Sequence, residues 1–220
     1  MIPKAWSYSA LTNFENCPKN YYLMRVEKAF PQEESEVLVS GKEIHMYLDK
    51  RMSKKQPLPL HLRHLEDICL TFEAKKSEVS TEVQIAINRD FKQVGYFADD
   101  VWGRVVIDLA LIKLPSGVVI DWKTGSRITD DFTQLEVASV VLMLMEIGLE
   151  KVNYGYVYTQ LGRTVSGSIL RQESDRVWSE LLPRIERFES AFNTGEFPAR
   201  PSWLCRASCP VRSCPHHPDA

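Results

Sequence analysis

The chain lacks a long apolar run. Its longest, Val137 to Met145, stops after nine residues, whereas a membrane-spanning helix needs about 20. The first residues, MIPKAWSYSA, lack the basic-then-apolar layout of a secretory leader, so a cytoplasmic location is expected. Positive charge is not in excess either: 27 Lys and Arg face 29 Asp and Glu, for a net charge of −2. That excludes adsorption to nucleic acid over the whole surface and leaves only a locally basic groove. Internal repeats and low-complexity segments are absent, which removes the solenoid and scaffold classes. Cysteine is scarce, five in 220 residues, and in a cytosolic chain five thiols point to metal ligation more than to disulfides. What remains is a chain 44% hydrophobic, able to bury a full core, with one domain expected over 1–220.

The pattern that organises it is GRVVIDLALIKLPSGVVIDWKTG, Gly103 to Gly125. Val105 to Ile112 reads as an apolar strand with one charge, Asp108. Leu114-Pro115-Ser116-Gly117 reads as a turn whose Pro and Gly supply a fixed and a positive φ. Val118 to Trp122 reads as a second strand ending in Asp121-Trp122-Lys123. Alternation puts Asp121 and Lys123 on one face and Trp122 on the other, and a hairpin neighbour brings Asp108 beside them. An acid inside a β-branched run is costly to bury without a partner. Two carboxylates and an ammonium suit a divalent cation that holds a phosphate. A strand-end ion pair accounts equally well for Asp-x-Lys alone; the longer pattern, with Gln134-Leu135 opening the next helix, is far more specific.

That longer pattern resembles the PD-(D/E)XK nuclease superfamily, in its RecB-like, Cas4-like branch. The resemblance implies an α/β fold with a mixed central β-sheet flanked by helices, the restriction-endonuclease-like core. It implies that His45, Asp108, Asp121 and the Trp122 backbone carbonyl hold Mg²⁺ or Mn²⁺. Lys123 would assist the attacking water, and Gln134 would support it. His45 stands one turn after Gly41 on a helix expected over Val37 to Met52, where the small residue admits close approach to the sheet. Many relatives carry Tyr four residues after the Gln, a place taken here by Ala138.

Elsewhere, Ser9 or Thr12, the latter with Glu15, fits a helix cap ahead of Cys17-Pro18. Pro31 to Glu36 reads as an acidic loop. His61 to Lys76 reads as one helix whose apolar stripe takes Cys69 into the core. Val79 to Asn88 alternates as a half-buried strand, with Glu82 read as solvent-facing or at most supporting. Phe132 to Ile147 is apolar almost all round and so buried. Val152 to Gln160 and Thr164 to Leu170 form a second hairpin. Ser174 to Asn193 is an amphipathic helix whose Arg184 and Arg187 line either solvent or a DNA path.

Cys205, Cys209 and Cys214 crowd a Pro-rich tail that orders poorly without a staple. With Cys17 they make four thiols, the number that holds an iron–sulfur cluster or a structural zinc. The resemblance implies a [4Fe–4S] cluster on one early and three late cysteines, tying 1–30 to 197–215. Zn²⁺ on three cysteines and His216 or His217 is the alternative. The function implied is a metal-dependent deoxyribonuclease, an exonuclease on single-stranded DNA ends, with recombination, repair or CRISPR adaptation proteins as partners and no membrane. The other reading is a DNA-binding or assembly subunit that keeps the fold with little catalysis.

Overall fold

The computed structural model describes residues 5–30 and 36–218, the side chains of 36–38 excepted. The acidic loop expected at Pro31 to Glu36 lies, apart from Glu36, outside those residues. In chain order the helices α1 (Tyr8–Asn16), α2 (Pro18–Tyr21), α3 (Glu36–Lys54) and α4 (Glu66–Glu73) precede strands β1 (Glu78–Ile87), β2 (Gln93–Val94), β3 (Gly103–Lys113) and β4 (Ser116–Lys123). Helix α5 (Thr133–Met145), strands β5 (Lys151–Tyr158) and β6 (Arg163–Leu170), and helices α6 (Ser174–Thr194) and α7 (Leu204–Ala207) follow. Among the described residues no helix is long and apolar enough to cross a membrane. Two compact units divide the chain, Ser35–Ser179 and Met1–Glu34 with Glu180–Ala220.

The first unit is built on one six-stranded sheet in the order β2-β1-β3-β4-β5-β6. Only β4 and β5 run parallel, and α5 is the crossover that a parallel neighbour requires. The sheet is therefore mixed and flanked by helices, as the sequence implies. Leu109, Leu111, Ile120 and Trp122 share a buried cluster with Leu48 and Met52 of α3 and with Cys69 and Phe72 of α4. Burial raises the Cys69 thiol to about 11, so it stays a protonated core group. The reverse face, carrying Ala110 and Val119, is crossed by α5, eight of whose thirteen residues are buried. That burial is what a helix apolar all round demands.

Three local expectations change. The helix expected at His61 to Lys76 is a 3₁₀ turn, Leu60–Leu65, running into α4. Leu62 and Leu65, three apart and both buried, point the same way in a helix of three residues per turn. In the central hairpin Lys113 pairs with Ser116, so the turn is Leu114-Pro115 alone, joined by a cis peptide bond. Gly117 lies inside β4; a Cβ there would meet Leu149 Cδ1 at 3.0 Å, so closeness rather than positive φ calls for glycine. Finally, the cap of α1 is Ser7, whose Oγ accepts from the Ala10 N–H at 3.2 Å, not Ser9 or Thr12.

Arg51, near the end of α3, is 5% exposed. It donates to Glu66 at 2.6 Å and to Glu73, which also accepts from Lys55 at 2.8 Å. The two cations hold the Glu73 carboxyl below the usual carboxylate range.

The second unit gathers both ends of the chain around an aromatic cluster. Phe14 meets Tyr21, Phe188 and Phe197 edge-on, with centroids 6.1, 5.4 and 6.3 Å away. Tyr22 stacks on Phe197 at 4.4 Å. Arg184 of α6 grips Glu15 through two hydrogen bonds of 2.8 and 2.7 Å. That guanidinium is committed to a carboxylate.

Candidate functional site

The site begins where two strands part. The β3–β4 ladder ends at Leu109↔Ile120, while β4 continues beside β5 as far as Lys123↔Tyr158. One step past the last pair, Asp108 and Asp121 stand opposite each other on one face. Trp122 has lost a backbone partner on the β3 side, and its N–H donates to Asp108 Oδ2 at 2.8 Å. The Trp122 ring goes to the other face, 3% exposed.

Two side chains lock the second acid. Lys123 Nζ lies 2.8 Å from Asp121 Oδ2 and donates to Gln134 Oε1 at 3.0 Å. The Gln134 amide in turn donates to Asp121 Oδ1 at 2.7 Å. Period-2 spacing on β4 and the first turn of α5 bring these groups together. Lys123 Nζ also sits 4.6 Å from the centroid of Tyr156, a ring stacked on Phe132 at 5.8 Å. Ala138 is buried, and the ring beside the lysine comes from β5.

The first acid faces a different set. His45 Nδ1 of α3 is 3.5 Å from Asp108 Oδ2. His45, Glu82 and Asp108 each offer a ligand atom within 4.8 Å of the others, and among the described residues they are the group of three so drawn together. Burial raises the Asp108 carboxyl to about 7, with the Asp121 charge adding to it and His45 and the Trp122 N–H opposing it. Burial also raises Glu82, which the charge of Asp49 reinforces. An imidazole nitrogen and carboxylate oxygens fit a hard divalent cation.

Glu82 lies exposed on the face that alternation gives it, and the register sets it opposite Asp108. Thr81 pairs with Leu109 and Val83 with Ile107, but Glu82 between them has a φ of 49°. A non-glycine residue there costs about 1–3 kcal/mol and is held only by its surroundings. The neighbouring Thr81 hydroxyl donates to Asp49 Oδ1 at 2.5 Å, one helical turn beyond His45.

Helix α3 can bring His45 this close because Gly41 lies against the strand end. A Cβ at Gly41 would stand 3.2 Å from Thr124 Oγ1. The hydroxyl can yield a few tenths of an ångström to a methyl group but not to a branched side chain. Gly41→Ala should therefore leave Mn²⁺ affinity within about twofold, while Gly41→Val weakens it about tenfold, the effect of roughly 1.4 kcal/mol. Calorimetric titration with Mn²⁺ measures both. Equal affinity of Gly41→Val and wild type would remove the close-approach argument.

The cysteines lie in the unit that holds both chain ends. Cys17 Sγ accepts from the Arg200 N–H at 3.4 Å, Cys205 Sγ from the Ser202 N–H at 3.4 Å, and Cys209 Sγ from Asn20 Nδ2 at 3.5 Å. Cys214 is buried. His217 Nε2 is 3.2 Å from the Cys209 carbonyl oxygen.

Comparison with known proteins gives one family. The family model of the PD-(D/E)XK nuclease superfamily matches residues 5–215. No curated protein gives a significant match. Among solved structures, SSO0001 superposes with a TM-score of 0.51 at 18% identity, covering 97% of this chain and 86% of its own. A protein from Eubacterium rectale named as a candidate exonuclease gives 0.50 at 16% identity, covering 93% and 86%. Both share the fold. With the match running almost from end to end and the Asp-x-Lys strand at its centre, the chain belongs to the PD-(D/E)XK nuclease superfamily.

Proposed function

We propose that the protein is a divalent-cation-dependent deoxyribonuclease that hydrolyses phosphodiester bonds, acting as an exonuclease on single-stranded ends in the cytoplasm. The observation that carries this reading is the closed triangle of Lys123, Asp121 and Gln134 beside a buried, charge-poor Asp108. His45, Asp108 and Asp121, with the Trp122 carbonyl, are the donors expected from the sequence, and Glu82 joins them. When bound there, Mg²⁺ or Mn²⁺ supplies positive charge to a phosphate oxygen.

Lys123, oriented from two sides, presents its ammonium to the attacking water and the charge developing on the phosphoryl oxygens. Gln134 fixes that orientation through its paired donor and acceptor. Water oxygen adds to phosphorus, the bond to the departing sugar oxygen breaks, and the proton leaving the water ends on that oxygen or in solvent. The chain's own groups thus position charge and water; they form no covalent link to the substrate.

The four thiols are read as ligands of a [4Fe–4S] cluster that staples the two chain ends. N–H groups directed at three of the sulfurs support this, since a thiolate is stabilised by such donors. Tetrahedral zinc needs sulfurs about 3.8 Å apart, and among the described residues no three of the cysteines come within 4.8 Å of one another.

The test is degradation of labelled single-stranded DNA with Mn²⁺ by anaerobically purified protein. Wild type should degrade it and Lys123→Ala should be on the order of 10²–10³-fold slower, in a brown preparation containing about four irons. Undiminished degradation by Lys123→Ala would end the catalytic assignment and favour an assembly subunit contaminated by another nuclease. Zinc in place of iron would overturn the cluster alone.

A further inference from the structure

The face of the sheet that carries Asp108 continues along β3 beyond the site. Arg104, Val106 and Asp108 occupy alternate positions and share that face. Across the ladder Val106 pairs with Gln84 and Arg104 with Ala86. Val106 is 44% exposed and Gln84 is exposed beside it, so α5 leaves this strip uncovered. At its end stands an unusual pair of rings. Phe97, in the loop between β2 and β3, is 85% exposed and meets Tyr96 edge-on, with centroids 5.2 Å apart.

Arg104 holds that pair in place. Its Nε donates to the Tyr96 carbonyl at 2.8 Å, and its guanidinium lies 5.4 Å from the Tyr96 centroid and 6.0 Å from that of Phe97. A phenyl ring left in water forgoes its burial energy, and here its loop is anchored from below while its face stays open. Arg104 is four residues from Asp108, about 13 Å along the strand. A nucleic-acid strand whose phosphate sits at Asp108 has a base a few nucleotides away at the rings.

We propose that Tyr96, Phe97 and Arg104 form a base-stacking platform on which a single-stranded segment of the substrate rests while its phosphate reaches Asp108 and Lys123. This rests on the nuclease reading above and adds a physical source for single-strand preference: a duplex keeps its base faces stacked on each other, whereas unpaired bases offer them to aromatic rings. Continuity with the site on one strand, and a ring pair anchored beneath but open above, select this occupant. Asp99 and Asp100 lie exposed in the same loop and offset Arg104. The platform therefore grips by ring faces rather than by charge, and its share of binding depends little on salt.

The test is fluorescence anisotropy with labelled oligothymidylate and with a duplex of equal length, in the Asp108→Asn background so that DNA survives. Adding Phe97→Ala should weaken single-strand binding about 5- to 100-fold and leave duplex binding within about twofold. Phe97→Trp should restore it. A fluorescent base analogue moved along the strand should be quenched at one position with Phe97 and at none with Ala. Single-strand affinity unchanged by Phe97→Ala, or an equal loss on both substrates, overturns the platform. Cleavage assays of otherwise wild-type protein separate the two claims. Cleaving protein whose binding ignores Phe97 refutes the platform alone, whereas protein that cleaves no DNA refutes the nuclease reading and the platform with it.

Discussion

Replacing Asp108 with Asn should abolish nuclease activity and at the same time make the protein more stable at pH 8. The side chain is 13% exposed, and burial lifts its carboxyl to about 7, against about 3.9 in an unfolded chain. A carboxyl raised on folding favours the folded state fully only below its unfolded value, and that advantage is lost as pH rises through the folded one. Near pH 8 the ionised group thus opposes folding by as much as about 4 kcal/mol, and near pH 5 by about 1.5 kcal/mol. Asn keeps an oxygen to accept from the Trp122 N–H and carries no charge. Unfolding curves of Asp108→Asn and wild type should therefore lie far apart at pH 8 and approach each other as pH falls. Mn²⁺ should raise the wild-type Tm and leave that of Asp108→Asn unchanged. Activity should fall on the order of 10²–10³-fold or more. A variant less stable than wild type at pH 8 would show that Asp108 is held as a structural acid rather than strained for function.

The second large effect concerns stability alone. Arg51→Met should destabilise the sheet unit by about 2–4 kcal/mol, because removing one member of a buried ionic group leaves its partners without compensation. The lower end applies here, since Glu66 and Glu73 keep 34% and 22% of their side chains in water. Arg51 and Lys55 hold Glu73 below the usual carboxylate range, so its share of stability is present above the unfolded value near 4.3 and is lost as pH falls through the lower folded one. The penalty of Arg51→Met should therefore shrink below about pH 4. Replacing all three, with Glu66→Leu and Glu73→Leu added, should recover most of the loss. Urea unfolding of the three proteins tests both statements. A loss under about 0.5 kcal/mol in Arg51→Met would show that the network contributes nothing beyond packing.

What could be read in the sequence was whatever depends on spacing within one element. Asp121 and Lys123 share a face because strands have period 2, and Gln134 reaches both because it opens the helix that follows. Gly41 and His45 read correctly as a close approach and a reaching side chain on one helix. Alternation sets Glu82 on the exposed face where it stands; that it meets Asp108 and His45 depends on the β1–β3 register and on where α3 docks, which no local pattern writes. Tyr156 beside Lys123 was equally hidden: it depends on the parallel register Asp121↔Tyr156, set across the whole crossover and written in no local pattern. Gly117 reads as a turn residue because a turn and a tight contact both call for the same amino acid.

The division of the chain has a consequence for its biosynthesis. One unit is continuous, Ser35–Ser179, whereas the other needs both Met1–Glu34 and Glu180–Ala220. Synthesis runs from the N-terminus at about 5–20 residues per second, so the continuous piece emerges whole while Phe14 and Tyr21 still wait for Phe188 and Phe197. On the ribosome the first helices must remain unsatisfied for several seconds with their aromatic rings uncovered, a natural point for a chaperone to hold them.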